Sequence, residues 1–278
     1  MKIGINLGRL NPGLWTAATE RADALGFESA WLPEHLVLPA AMSGSPNAGE
    51  SHPPVPANIP VFDTFVYFAM LAGRTARIRF GTFVYNIGLR HPFVTARAVA
   101  TLDVLSGGRF EFGIGASWLR EEWQAAGLDF DSRGRRVDEA LQVCRRLWTE
   151  PVVEHHGEFF DFQPVMFEPK PVQPGGPPIH VGGDARPALR RAALHGDGWV
   201  PLNTPLEGLR AALDRIHDLR DRAGRSGRVE VTIALPVQSR SDLARYAEAG
   251  VDRVLISPWK RSSEALDAIA HAADSLLA

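Results

Sequence analysis

The sequence predicts an α/β protein, a closed (β/α)8 barrel of the TIM type, with residues 1–278 as one domain. Short β-rich runs alternate with helical patterns from one end to the other, and alternation implies parallel strands joined by right-handed crossovers. The alternation counts to eight strands and eight helices. A chain of 278 residues suits one large barrel, since such barrels run to roughly 250 residues as a single unit. An open doubly wound sheet shares the alternation, but eight units favour closure.

Each element has its own signal. KIGIN (2–6) reads as the first strand, and 14–26 as a helix stopped by Gly26. SAWL (29–32) is the second strand, followed by a Pro/Gly/Ser-rich stretch over 33–60. That stretch is too long for an ordinary connector and reads as a functional insertion able to cover the barrel mouth. Residues 61–76 read as helix, 78–85 as the third strand, and 93–105 as a helix stopped by Gly107 and Gly108. The fourth strand is 110–115, followed by an inserted segment over 116–132 and a long amphipathic helix over 133–149. A further excursion, 151–178, precedes the fifth strand and contains a hairpin turning near Gly157. The remaining strands are PPIHVGG, 198–201, 229–235 and 253–257, with helices over 186–195, 206–223, 239–249 and 262–277. β-branched and aliphatic residues dominate the strands, as burial on both faces requires.

Composition narrows the function classes. The net charge of −2 supplies no basic field for nucleic acid or a membrane surface. No apolar run approaches the roughly 20 residues needed to span a bilayer, and the N-terminus lacks a signal-peptide core. The one cysteine, Cys144, excludes an intramolecular disulfide and suits a reducing cytoplasm. It lies in a helical pattern and reads as a buried apolar residue. His155, His156, His195, His217 and His271 show no metal-ligand spacing, so no metal site is expected.

In a barrel of this kind chemistry gathers at the C-terminal ends of the strands. Glu34 and His35 stand where the second strand meets its loop; a histidine there is either a proton carrier or a half-exposed loop residue. Gly113-Ile114-Gly115-Ala116-Ser117-Trp118 follows the fourth strand, with small residues that let backbone approach a ligand. Gly182-Gly183-Asp184 leads into a helix. It reads either as a phosphate site at the helix N-terminus or as a helix capped by Asp184.

Together these segments resemble the luciferase-like monooxygenase superfamily, in its deazaflavin-dependent branch. The resemblance rests on GINLG, WLPEH at 31–35, the long stretch RFGTFVYNIGLRHPFVTARAVATLDVLSGGRFEFGIGASWLREEW, DEALQVCRRLW, GEFFDF, PKPVQPGGPPIHVGG and GDGWVP. It runs from about residue 3 to residue 203. LDVLSGGRFEFGIG and KPVQPGGPPIHVGG are its most specific pieces; beyond 203 the chain is similar only as generic barrel units.

The resemblance implies a cofactor at the barrel mouth: coenzyme F420, a deazaflavin, with FMN as the alternative. Glu34 and His35 would lie beside its reactive ring, with His35 as proton donor or base. A non-prolyl cis peptide is implied at Phe83–Val84, supporting the ring. Gly115, Ala116 and Trp118 would line its side, and Gly182, Gly183 and Asp184 would receive its phosphate. Arg90 and Arg186 are candidates for its anionic tail, and Trp199 is expected to pack. The implied activity is hydride transfer between deazaflavin and a small organic substrate. An FMN-dependent monooxygenase and a non-catalytic cofactor-binding protein stand as alternatives. A homodimer is also implied.

Overall fold

The computed structural model describes residues 1–47 and 49–277. Among these residues, eight parallel strands close into a barrel. They are β1 (Lys2–Asn6), β2 (Ser29–Leu32), β3 (Arg79–Thr82), β4 (Phe110–Ile114), β7 (Ile179–Gly182), β8 (Gly198–Val200), β9 (Glu230–Ile233) and β10 (Arg253–Ile256). The order around the barrel is β1-β10-β9-β8-β7-β4-β3-β2, with Gly4 paired to both Leu255 and Ser29 where the ends meet. The expected (β/α)8 architecture is therefore present.

The helices follow their local signals. α1 (Trp15–Leu25) ends at Gly26, whose φ of 91° is left-handed, a conformation open to a residue without Cβ. α2 (Thr64–Ala72) is shorter than the 61–76 expected from periodicity. The Asp63 carboxylate caps it by accepting from Phe65 and Val66 N–H, and Gly73 closes it. Its buried face, Phe65, Phe68 and Leu71, meets Phe80, Phe110 and Phe112 of the barrel wall, with Phe68 and Phe80 centroids 5.3 Å apart. Burying each of these rings stabilises by roughly 1.5–3 kcal/mol. α3 (Pro92–Ser106) starts with His91, whose Nδ1 accepts from Phe93 N–H, and stops at left-handed Gly107. β3 also ends earlier than expected; beyond Thr82 only Tyr85 rejoins the sheet, as a single bridge to Ile114.

The insertions lie where the sequence placed them. Residues 116–132 contain α4 (Arg120–Ala125) and lead to α5 (Arg133–Thr149). The 151–178 excursion holds an antiparallel hairpin of β5 (Val153–His156) and β6 (Asp161–Val165). Its turn is held by the Glu139 carboxylate, which bonds His155 Nε2 at 3.1 Å and accepts from Phe160 N–H at 2.8 Å. Cys144 is buried in α5 against the Pro92 carbonyl, and burial pushes its thiol pKa up. It behaves as the apolar residue expected of it. α6 (Arg186–His195), α7 (Leu206–Arg222), α8 (Arg240–Glu248) and α9 (Ala265–Leu276) complete the outer ring.

The N-terminal end of the barrel is closed by charge. Residues at or beside strand starts converge there: Glu28, Arg79, Glu111, His180, Glu230 and Arg253. Arg253 is fully buried and donates to both Glu28 oxygens, at 2.8 and 2.9 Å, and pairs with Glu230. Glu111 bonds His180 Nε2 at 2.5 Å and Arg79 Nε at 2.5 Å. Burial alone would raise the Glu111 carboxyl, yet His180, Arg253 and Arg79 together hold it far below its ordinary value. Glu111, His180 and Glu230 bring ligand-type atoms within 4.8 Å of one another. The cation among them is the Arg253 guanidinium. This end of the barrel is a stability layer, and the opposite end is free to carry chemistry.

Candidate active site at the barrel mouth

A cavity of about 790 Å³ opens at the C-terminal ends of the strands. All ten residues expected around a cofactor line it: Glu34, His35, Phe83, Val84, Gly115, Ala116, Trp118, Gly182, Gly183 and Asp184. The Pro-rich insertion contributes Leu38, Pro46, Pro54, Val55, Ile59 and Pro60, so it forms a wall of the mouth. Such a volume is toward the upper end of small-molecule sites, roughly 300–1,000 Å³.

His35 is held from behind. Its Nδ1 lies 3.1 Å from Oε2 of Glu122, a fully buried residue of α4. The other Glu122 oxygen accepts from Leu36 N–H at 2.6 Å and Val37 N–H at 3.4 Å. Asn86 Nδ2 approaches Oε2 at 3.5 Å. A carboxylate only accepts, so Nδ1 carries the proton and Nε2 is left for a bound molecule. Trp118 meets the His35 ring edge-on at 6.1 Å. Sequence reasoning missed Glu122. It lies within an insertion, and its only local signal was the Glu121-Glu122 pair ahead of Trp123 in a short helical pattern.

Glu34 is also buried, but its partners differ. Arg90 Nη2 donates to Oε1 at 2.6 Å and Asn86 N–H to Oε2 at 2.9 Å. Burial pushes its carboxyl above the ordinary range; Arg90 opposes this, and the nearby Glu122 charge reinforces it. The Arg90 guanidinium stacks over the Tyr85 ring at 4.6 Å. Arg90, a candidate contact for a cofactor tail, pairs with Glu34 through Nη2 and is not among the residues lining the cavity.

Phe83–Val84 is a cis peptide, where the resemblance placed one. The Val84 side chain lies between two strand-end glycines. A Cβ added at Gly115 would meet Val84 Cγ2 at 2.7 Å, and one at Gly182 would meet Val84 Cγ1 at 3.1 Å. These glycines make room for Val84, a reason beside the ligand approach expected at Gly115 and the phosphate contact expected at Gly182. Ser117, beside Trp118, has φ of 64°, a left-handed conformation uncommon outside glycine and often kept at functional sites.

On the phosphate side the cap reading of Asp184 is revised. Asp184 does not cap α6: the cap position is Ala185, with no side-chain bond. Instead the Asp184 carboxylate ties down the loop after β8, accepting from Leu202, Asn203 and Thr204 N–H at 2.9–3.2 Å. Gly183 has φ of 111°, and its carbonyl accepts from Trp199 Nε1 at 2.8 Å. Trp199 is fully buried and packs, as expected. Pro187 removes a free N–H from the first turn of α6. The cations lining the cavity are Arg133 and Arg191, while Arg186 is exposed outside it. Arg191 is fixed by Asp138 at 2.6 Å and the Gly134 carbonyl at 3.0 Å.

Comparison with known proteins agrees with this geometry. The luciferase-like monooxygenase family matches residues 15–274. An uncharacterized protein of Mycobacterium tuberculosis is 32% identical over 275 residues, covering 98% of this chain and 96% of that protein. The chain belongs to the luciferase-like monooxygenase family. Among solved structures, the monooxygenase RslO1 of Streptomyces bottropensis superposes with TM-score 0.79 at 23% identity, covering 100% of this chain and 99% of that one. The coenzyme F420-dependent tetrahydromethanopterin reductase of Methanopyrus kandleri gives 0.77 at 17%, covering 99% and 98%. The FMN-bound oxygenating constituent of 3,6-diketocamphane monooxygenase from Pseudomonas putida gives 0.68 at 19%, covering 86% and 67%. The neighbours in fold thus include one that is coenzyme F420-dependent and one that holds FMN. Among the described residues no helix is long and apolar enough to cross a membrane.

Proposed function

We propose that this protein is a coenzyme F420-dependent oxidoreductase that moves a hydride between the deazaflavin and a small organic substrate, acting as a homodimer. The observation that carries the reading is His35 at the cavity wall with its Nδ1 held by buried Glu122. Hydride transfer to or from a carbon–oxygen group needs one matching proton, and His35 Nε2 is the group to hold it.

The residues present fit a tricyclic cofactor bearing a phosphate. Val84, Ala116 and Trp118 offer apolar walls for the ring. Arg133 and Arg191, near Gly183 ahead of α6, are the cations that would meet the phosphate, with Asp131 and Asp184 lining the same side of the cavity. When bound, the deazaflavin supplies the carbon that gives or takes the hydride. The protein binds, orients and excludes water. Glu122 keeps Nε2 of His35 as the exchanging nitrogen. Arg90 and Asn86 hold Glu34 in the wall. The insertion covers part of the mouth, which strengthens every electrostatic contact inside.

FMN shares the ring and phosphate, so the same walls support an oxygen-using monooxygenase as the second reading. The separating experiment incubates protein loaded with reduced F420 with electrophilic acceptors, under air and without it. Oxygen-independent recovery of the deazaflavin's visible absorbance supports the proposal. Oxygen-dependent product formation only with reduced FMN supports the second reading. Binding without turnover of any acceptor would indicate a non-catalytic cofactor-binding protein.

A further inference from the structure

The Pro-rich insertion after β2 crosses the mouth. β8 lies four strands from β2 in either direction around the barrel, so the loop after β8 stands on the opposite rim. The two nevertheless meet. Asn203 Nδ2, in the loop after β8, donates to the Pro46 carbonyl of the insertion at 3.0 Å. Pro46, Leu202 and Asn203 all line the cavity. The insertion is therefore a strap laid from one rim to the other over the chamber.

Its two sides are held differently. On the near side, consecutive carboxylates of α4 fix it. Glu122 accepts from Leu36 and Val37 N–H, and Glu121 accepts from Ser43 Oγ at 2.5 Å. Next comes Gly44, left-handed at φ of 73°, with no atom within 4 Å of where a Cβ would stand. Open space around a residue with this backbone freedom lets the chain swing. Beyond Gly44 the tip of the strap has a fold of its own: the Glu50 carboxylate accepts from Ser45 Oγ at 2.8 Å and from Asn47 Nδ2 at 2.7 Å. The tip thus moves as a unit.

The far anchor is made rigid by Asp184. Its carboxylate accepts from Leu202, Asn203 and Thr204 N–H and from the Thr204 hydroxyl. Hydrogen bonds to a charged acceptor are the stronger kind, so Asn203 is presented to Pro46 from a loop already ordered.

The geometry points to a gated mouth. The strap up to Ser43 stays on α4, Gly44 is the pivot, and the Asp184–Asn203–Pro46 chain is the latch whose release lifts the tip and opens the cavity. The gate acts on any molecule entering the chamber, so it stands apart from the cofactor and the reaction proposed above.

The test needs no ligand. Glu50 is the only acidic residue between 36 and 60. A glutamate-specific protease that yields fragments 1–50 and 51–278 therefore reports a lifted tip, at a rate that follows the open population. Trp118 lines the cavity and is the one of seven tryptophans that is not buried. Acrylamide quenching of the emission that Trp118→Phe removes therefore reports access to the chamber. Asn203 is exposed, and Asn203→Ala is expected to speed cleavage after Glu50 about two- to tenfold, the worth of one hydrogen bond, and to increase Trp118 quenching. Asp184→Asn, which leaves Asn203 in place, is expected to move both readings the same way. Ser43→Ala is expected to leave both near wild type, because the tip stays latched. Unchanged cleavage in Asn203→Ala would overturn the latch. Faster cleavage with unchanged quenching would overturn the gate. Cleavage sped as much by Ser43→Ala as by Asn203→Ala would place the hold on α4 and overturn the assignment to Asn203.

Discussion

His35 and Glu122, 87 positions apart, meet at 3.1 Å between Nδ1 and Oε2 at the barrel mouth. One comes from the end of β2 and the other from the helix inserted after β4. The same carboxylate accepts from Leu36 N–H. Glu122 therefore orients the histidine and anchors the start of the Pro-rich wall together.

His35→Ala is expected to lower turnover by about 10²–10⁴, the usual contribution of a positioned acid or base. Cofactor affinity should change little. Glu122→Gln keeps the shape but can present an N–H to Nδ1 and reverse the tautomer. It is expected to lower kcat, shift the pH profile of kcat, and leave KM nearly unchanged. Measured pH–rate profiles of both variants check this; an unaltered profile for Glu122→Gln would make Glu122 merely structural.

Val84 and Gly115 form a steric pair. Gly115→Ala places a Cβ 2.7 Å from Val84 Cγ2, and overpacking of that kind costs about 1–3 kcal/mol. Combined with Val84→Ala, most of that loss should return. Denaturant unfolding of the two single variants and the double variant measures the coupling. Additive losses would mean that Gly115 serves some purpose other than making room for Val84.

The charged layer at the other end of the barrel predicts a stability effect. Glu111→Gln removes the buried carboxylate that His180 and Arg79 share and should destabilise the fold by about 3–5 kcal/mol. Glu111 is held below the ordinary value of 4.5, so its stabilisation is complete above that pH. It is lost as pH falls from there toward the folded value. The gap between wild type and variant in urea melts should therefore narrow on acidification. A gap that widens instead would contradict the assignment.

α2 and α3 pack side by side and leave Val66, Val94 and Leu105 at 71%, 59% and 61% exposure. These apolar surfaces support the proposed homodimer. Val66→Asp is expected to shift sedimentation velocity from dimer toward monomer. A wild-type chain that sediments as a monomer at high concentration would end that proposal.

Much of this was legible in the sequence, because the signals were local. Alternating strands and helices, Gly26 and Gly107 as stops, and the three insertions all follow from short-range pattern. The cavity lining was legible because strand C-termini converge in a closed barrel, so residues from 34 to 184 meet there. What escaped depends on contacts between distant residues. Arg90 looked free until Glu34 was placed beside it. Asp184 read either as part of a phosphate site or as a cap, but its carboxylate takes its donors from the loop after β8. Glu122 becomes informative only when the inserted α4 is folded against His35. The helix at 61–76 was overextended because apolar periodicity continues past the Asp63 cap, which alone defines its start.

The most direct test is equilibrium titration of the purified protein with oxidised F420 and with FMN, followed by fluorescence. Tight deazaflavin binding, weak FMN binding, and loss of F420 affinity in Arg133→Ala and Arg191→Ala variants are predicted. Preference for FMN, or failure to bind either molecule, would contradict the deazaflavin assignment.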